Sequence, residues 1–367
     1  MAGLYIHIPY CHSKCHYCDF YSGSGLGEQD NYIHAIEKEY QLRKYEIIEP
    51  YRTIYIGGGT PSSLDSDNLL RLLRFCKTEV ADTPEEFTIE VNPEDVTPHL
   101  IKLLKDNGVN RVSMGIQSLV DDELKAVGRN HTPECALKGA ALIADGFSNF
   151  SYDLIFGLPG QTLESLNYSL EKLLELRPPH ISIYLLSYEP GTRLYARLVS
   201  GKIRETDEAT VTRMYSLICE SLRYAGYNHY EISNFALPGR ESRHNSSYWA
   251  SVPYLGLGAS AHSFDGSVRR YNPSNLKEYI RNVDSGESPA IIDEEDEDNR
   301  LNDILITRLR TARGLHREDL SVSDYNRIKG SMDKLIKTGK LVIDGDSIRI
   351  PENQWLVSDN ILQDLIV

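Results

Sequence analysis

This sequence predicts an α/β fold: a partial (β/α)6-type barrel with an extended sheet, followed by a small winged-helix-like helical domain. Two observations carry the barrel. Six short β-branched or aromatic runs, at residues 4–8, 53–56, 87–91, 111–116, 150–156 and 181–186, alternate with stretches of helical spacing, and strand, helix, strand repeated in this way makes the strands parallel. The unusual residues of the chain fall at or just before the ends of those runs, where parallel α/β sheets build their sites. A third observation carries the last domain. An Asp-Gly pair inside the alternating run LVIDGDSIRI is a hairpin signal, and it follows two or three helical stretches.

The first run leads straight into Cys11, Cys15 and Cys18, spaced C-x3-C-x2-C. Three thiols of one loop face one point. A structural zinc site usually takes four protein ligands, whereas a [4Fe–4S] cube held by three thiolates keeps one iron open. The competing reading is a zinc loop completed by His7, His12 or His16. Gly57-Gly58-Gly59-Thr60-Pro61-Ser62 follows the second run, where glycines either let bare backbone approach a small polar ligand or simply make a tight turn. Glu90 ends the third run, and burial would penalise its charge unless it met a cation or several donors. A ligand would supply them, and so would a salt bridge to Arg111 or Arg129. Gln117 follows the fourth run, Asp153 lies within the fifth ahead of Gly157-Leu158-Pro159-Gly160, and Ser187 follows the sixth. One mouth collects them all.

The connecting helices are legible as well. LLRLLRFCKTEV and ESLNYSLEKLLEL carry apolar residues at helical spacing, and Pro178-Pro179 stops the second before the next strand. Past Ser187, DEATVTRMYSLICESLRYAGY reads as a helix packed on the barrel. Segment 230–236 and the stretch His244-Asn245-Ser246-Ser247-Tyr248-Trp249 follow it. Residues 254–264 then form a small-residue strand that would admit a flat ligand or a second backbone. The acidic run 293–298 reads as a solvated connector. This divides the chain into a barrel at 1–190, an extension at 191–292 and a C-terminal domain at 293–367.

Composition limits the function classes. With 367 residues and 41% apolar content the chain can bury a large core. A formal charge of -14 argues against a general nucleic-acid binder, which needs a basic surface. No apolar run approaches the roughly 20 residues that span a bilayer, and the start lacks a signal-peptide pattern, so a cytoplasmic protein is expected. Cys76, Cys135 and Cys219 are far apart in helical patterns and read as buried thiols of a reducing compartment.

The strings YIHIPYCHSKCHYCDFYS, YIGGGTPSSL, EVNPE, VSMGIQSL, DLIFGLPGQT and ISIYLLSYEPGT resemble the radical S-adenosylmethionine (SAM) enzymes, and among them the coproporphyrinogen dehydrogenase-like group. The resemblance covers essentially the whole chain. It implies that Cys11, Cys15 and Cys18 hold a [4Fe–4S] cluster whose free iron is chelated by SAM. It places Gly58, Gly59 and Thr60 near the SAM amino group, carries Tyr5, Glu90, Gln117, Arg129 and Asp153 to SAM-contacting positions, and matches Tyr17 to the aromatic residue before the third cysteine; Ser187 is counted with them at the mouth. It also implies a C-terminal domain that covers the mouth.

Two departures point to one branch. Where the dehydrogenases have a fourth cysteine after the third, this chain reads Cys18-Asp19-Phe20, and it starts only a few residues before the first strand. Both are features of the HemW-type haem-chaperone branch, whose H-N-x-x-Y-W motif is matched by His244, Asn245, Tyr248 and Trp249. The resemblance therefore implies haem binding and delivery to an apo-haemoprotein acceptor such as a membrane-bound oxidase, with a flavodoxin or ferredoxin as electron donor. It leaves room for a homodimer and implies no nucleic acid. His244 is expected as an axial haem ligand, Asn245 as a polar contact, and Tyr248 and Trp249 as the apolar side, with His262 as the competing ligand. The alternatives are coproporphyrinogen III oxidative decarboxylation and, in another class, a zinc-binding interaction protein.

Overall fold

The computed structural model describes residues 2–23, 26–294 and 296–367; Glu295, within the acidic connector, lies outside them. The six expected runs become β1 (Ala2–Ile8), β2 (Tyr51–Gly58), β3 (Glu86–Val91), β4 (Arg111–Gln117), β5 (Phe150–Phe156) and β6 (His180–Leu185). Each pairs in parallel with the next. Alternation explains why this sheet curves around a polar interior. Leu4, Ile6 and Ile8 are fully buried on the outer, helix-covered face of β1, each contributing roughly 1.5–3 kcal/mol. Tyr5 and His7 take the inner face, where Tyr5 meets Tyr55 of β2.

Further strands flank this core on both sides. Beyond β6 lie β7 (Asn228–Glu231) and β8 (Asn234–Ala236). On the other side β9 (Tyr254–Leu257) runs parallel to β1 and carries β10 (His262–Phe264), β11 (Arg269–Tyr271) and β12 (Ile291–Asp293) antiparallel. The result is one open sheet of 12 strands in the order β12-β11-β10-β9-β1-β2-β3-β4-β5-β6-β8-β7, a partial barrel with an extension.

Residues 254–264 are a correction. The one expected strand is two, because Gly258 at φ +96° and Ser260 at φ +65° turn the chain back between β9 and β10. A Cβ on Gly258 would lie 2.4 Å from the Tyr32 hydroxyl and 2.7 Å from the His7 carbonyl, so only glycine fits that corner. Arg43, from the helix Gln29–Arg43, holds the hairpin from behind. Buried beside Glu39 at 2.6 Å, it donates to the Gly256 carbonyl at 3.1 Å and to Ser263 Oγ at 3.0 Å. Removing one partner of such a buried pair costs about 3–5 kcal/mol.

The connecting helices follow their sequence signals. Ser66–Phe75 runs on into a single π turn at Cys76–Val80. Leu163–Glu175 starts at a capping box between Thr162 and Ser165 and ends ahead of Pro178-Pro179. Glu208–Tyr224 buries Met214, Ile218 and Leu222 against the barrel. Among the described residues no helix is long and apolar enough to cross a membrane. Cys76 and Cys219 are buried free thiols, and Cys135 is half-buried.

The C-terminal segment contains the helices Glu297–Leu309 and Val322–Lys337 with a second sheet of β13 (Leu315–His316), β14 (Val342–Asp344) and β15 (Ser347–Arg349). Its order is β13-β15-β14, and the β14–β15 hairpin turns through Gly345 at φ +59°. Among the described residues none of it lines the mouth cavity. Its backbone bonds to the edge strand β7, Ile232 N donating to the Arg310 carbonyl at 3.2 Å and Ala312 N to the Tyr230 carbonyl at 2.9 Å, while Arg308 donates to the carbonyls of Trp249 and Ala250, and Arg223 and His229 contact Glu352 at 2.9 and 3.2 Å. Packing of Trp355 against the His229 ring at 4.4 Å fixes that side.

Candidate functional site

The loop after β1 is pinned before its thiols are used. His16 N donates to the Val127 carbonyl at 2.9 Å and Leu194 N to the His16 carbonyl at 2.8 Å. Tyr17 packs into a small apolar cluster of Val127, Ile155, Leu158, Leu186 and Leu194, separate from the main core. The glycine loop after β2 then docks against it, Gly59 N and Thr60 N donating to the carbonyls of Ile8 and Tyr10 at 2.8 and 2.7 Å. A Cβ on Gly59 would lie 2.7 Å from the Tyr10 carbonyl and 3.1 Å from Cys11 Sγ. The glycine is therefore a condition of the two loops meeting.

Two of the thiols are joined by a chain of polar contacts across the mouth. Cys11 Sγ lies 3.4 Å from Thr60 Oγ1; Asn92 Nδ2 donates to Thr60 Oγ1 at 3.0 Å; Arg129 donates from Nη2 to Asn92 Oδ1 at 2.9 Å and from Nη1 to Cys15 Sγ at 3.5 Å. Loops following β1, β2, β3 and β4 thus share one network. Burial pushes the Cys11 and Cys18 thiols up, so a metal that binds there must displace their protons. The three histidines of the zinc reading point elsewhere. His7 is engaged at both ring nitrogens, by the Tyr5 hydroxyl at 3.0 Å and the Tyr21 carbonyl at 2.9 Å, while His12 Nε2 meets Asp95 at 3.2 Å and His16 Nδ1 the Ala126 carbonyl at 3.3 Å.

Below this network lie the acids. Glu90 forms neither of the salt bridges considered for it: its carboxylate accepts from the Tyr55 hydroxyl at 2.7 Å and from Gly58 N at 3.2 Å. Burial, with Asp153 nearby, pushes it up to about 7. Burial raises Asp153 too, although Ser113 Oγ donates to it at 3.3 Å. Gln117 ends β4 at φ +68°, in the left-handed region, beside a register shift at Gly115. Backbone strain of this kind costs on the order of 1–3 kcal/mol and gathers at ligand sites. Arg129 Nη2 also donates to the Gly115 carbonyl at 2.6 Å, and its buried Nε has no partner among the described residues.

These groups line a cavity of about 420 Å³ that contains Cys11, Cys15, Cys18, Tyr17, Gly58, Gly59, Thr60, Glu90, Gln117, Arg129, Asp153 and Ser187. Tyr5 stays outside its lining, with its hydroxyl turned to His7. Asn92, Ser113 and Glu189 line it without having been anticipated. Asn92 carried a usable signal, since it stands two residues after Glu90 and a strand's period of two puts both on one side.

The H-N-x-x-Y-W segment is elsewhere. It forms the short helix Arg243–Trp249, set against the amino ends of β2 and β3. His244 is wholly buried, with Nδ1 at 2.8 Å from Thr53 Oγ1 and Nε2 at 2.8 Å from the Tyr248 hydroxyl. Burial, with the Arg111 cation nearby, pushes it down to about 3. The ring is neutral, but neither nitrogen is open to a metal in this arrangement. Asn245, Tyr248 and Trp249 are half-buried. A further grouping, Cys219, His229 and Glu352, brings its ligand atoms within 4.8 Å of one another; Glu352 there is already engaged by Arg223 at 2.9 Å and by His229 Nδ1 at 3.2 Å.

Residues 5–173 match the Radical SAM superfamily. The heme chaperone HemW of Lactococcus lactis is 41% identical over 280 residues, covering 76% of this chain and 73% of that protein. The chain belongs to the HemW family. The heme chaperone HemW of Mycobacterium tuberculosis is 30% identical over 372 residues, covering 99% of this chain and 94% of its own length. In fold, coproporphyrinogen III oxidase (HemN) from Escherichia coli superposes with a TM-score of 0.83 at 24% identity, over 100% of this chain and 90% of that one. A radical SAM family implies a [4Fe–4S] cluster and SAM, and the residues of this HemW-family chain fit both. The fit rests on the Gly59 cradle against Cys11 Sγ, the unpartnered Arg129 Nε and the strained Gln117.

Proposed function

We propose that this chain is a haem chaperone: it holds a [4Fe–4S] cluster on Cys11, Cys15 and Cys18, SAM across the mouth, and haem, which it passes to an apo-haemoprotein acceptor. One observation carries the choice within the family. The cysteine loop ends in Phe20, 65% exposed, where a dehydrogenase would supply its fourth thiol. A reduced cluster of this kind supplies single electrons to SAM, and a carrier of the flavodoxin or ferredoxin class is the partner that would reload it.

The chain's own groups have separable tasks in this reading. Arg129 holds the SAM carboxylate while keeping the loops of Cys15 and Asn92 together. Glu90 takes the amino group once its proton is lost, and Asp153 and Gln117 face the remainder. Tyr17 and the apolar cluster beneath it keep the cysteine loop rigid and exclude water from one side. Asn245, Tyr248 and Trp249 contribute to the haem part.

The second reading, oxidative decarboxylation of coproporphyrinogen III, is favoured by the fold likeness to HemN. Anaerobically purified protein separates the two. Haem should titrate to a defined stoichiometry, and chromatography should detect no protoporphyrinogen IX from coproporphyrinogen III. Multiple turnovers that disappear in Cys15→Ala would replace the first reading with the second.

A further inference from the structure

The exposed inner face of β10–β12 holds a histidine that nothing in the fold uses. Cross-strand register places His262 opposite Tyr271, and Tyr271 opposite Ile291; the next row on the same face is Phe264, Arg269 and Asp293. His262, Tyr271 and Ile291 are all exposed. The rings of His262 and Tyr271 lie 6.0 Å apart at 35°. Neither ring nitrogen of His262 has a hydrogen-bond partner among the described residues.

The backbone beneath is held firmly. Ser263, between His262 and Phe264, turns to the opposite face, where its hydroxyl accepts from Arg43 and from Gly256 N at 2.9 Å. A Cβ on Gly256 would run into the His262 carbonyl at 1.9 Å, so β10 packs closer over β9 than any side chain would allow. His262 therefore stands exposed on a strand whose backbone is held closely from beneath. Burial on one side holds the imidazole below its usual range, which keeps it neutral and able to donate a lone pair near neutral pH.

This face is also continuous with the H-N-x-x-Y-W helix. Tyr248 meets Tyr254 edge-on at 4.7 Å, and Tyr254 is the register partner of Phe264 on β10. The motif can thus shape the face without touching what binds there. His244, with both nitrogens occupied, would have to give up Thr53 or Tyr248 to reach a metal. His262 gives up nothing.

We infer that His262 is the axial ligand of the haem iron, that Tyr271 and Phe264 flank the macrocycle on the β10–β12 face, and that His244 is a positioning residue acting through Tyr248 and Tyr254. This rests on the reading of the chain as a haem chaperone. An imidazole ligand and an aromatic flank are what a porphyrin needs, and this face supplies both in two adjacent rows.

The test is a haem titration of the full-length, cluster-loaded protein, read as difference absorbance against the same protein without haem. His262→Ala should weaken binding on the order of tenfold or more and displace the Soret band. In His262→Gly, added imidazole should restore the parent band, which a merely structural role would not do. His244→Ala should keep the band position if it folds, and Tyr271→Ala should weaken binding without moving the band. A parent protein that binds no haem would defeat the chaperone reading itself, and this inference with it. A parent that binds haem while folded His262→Ala titrates identically would defeat the ligand assignment alone.

Discussion

Glu86 and Glu90 lie four residues apart on β3, and the fold treats their carboxylates in opposite ways. At the amino end Glu86, 1% exposed, accepts from Ser242 Oγ at 3.3 Å and from the amides of Arg243 and His244 at 2.9 Å each. It is the anchor of the motif helix. At the carboxyl end Glu90 receives one hydroxyl and one amide, lines the mouth cavity, and is pushed up to about 7. A buried acid given its donors by the fold holds structure together. One left short of them keeps acceptor capacity for a ligand, the role proposed above for Glu90.

The largest effect should fall on the mouth alone. Cys15→Ala should lose nearly all iron and sulfide, and cluster-free parent and variant should unfold at similar temperatures. A large drop in the midpoint of the cluster-free variant would mean that the thiol braces the fold. Next comes Glu86→Ala, which strands two amides, that of His244 buried, and a buried hydroxyl. It should lower unfolding free energy by about 3 kcal/mol in denaturant titrations and leave SAM affinity unchanged. If SAM binding fell as well, the two ends of β3 would not be independent.

Glu90→Ala should do the reverse, weakening SAM on the order of tenfold by calorimetry with no loss of stability. The pH dependence follows from the same carboxyl. Because its folded pKa is raised from 4.5 to about 7, the ionised form is disfavoured in the fold, and the ligand-free protein loses stability as pH climbs from 4.5 towards 7. Accepting the N–H groups of the SAM amino end requires the ionised form. SAM affinity should therefore fall as pH drops below 7, approaching tenfold per unit, and this slope should flatten in Glu90→Gln. An equal slope in both would assign the titration to another group. The smallest effect is expected at Gln117. Replacing it with Gly relieves a positive φ and should raise stability by up to about 1 kcal/mol while weakening SAM; a loss of stability would show that no strain is stored there.

Much of this was legible in the chain because it depended on local pattern. The six parallel strands follow from runs of β-branched residues, and the C-x3-C-x2-C loop and GGGTP segment identify themselves by residue type and spacing. The turn at 258–261 was not, since GLGAS reads as small residues in a strand until the Tyr32 hydroxyl and the His7 carbonyl are seen to fill the space of a side chain. Arg43, too, gives no hint in QLRK that it will be buried beneath a hairpin more than 200 residues away. The bracing position of the C-terminal segment likewise depends on Glu352 meeting Arg223 and His229, a pairing that no short stretch encodes.

The sequence by itself determined the family and the sheet and singled out the three thiols proposed to hold the cluster, because periodicity and ligand chemistry are properties of neighbouring residues. Only the tertiary structure decided which polar groups are satisfied. His244 and His262 both belong to legible motifs, and nothing in their own stretches distinguishes an enclosed ring from an open one. The difference comes from Thr53 and Tyr248 closing on the first, while the second stands on a strand whose facing side is left to solvent. Burial and hydrogen-bond supply are set by residues that meet through the fold, so the chemistry available to a side chain is fixed there and not in its motif.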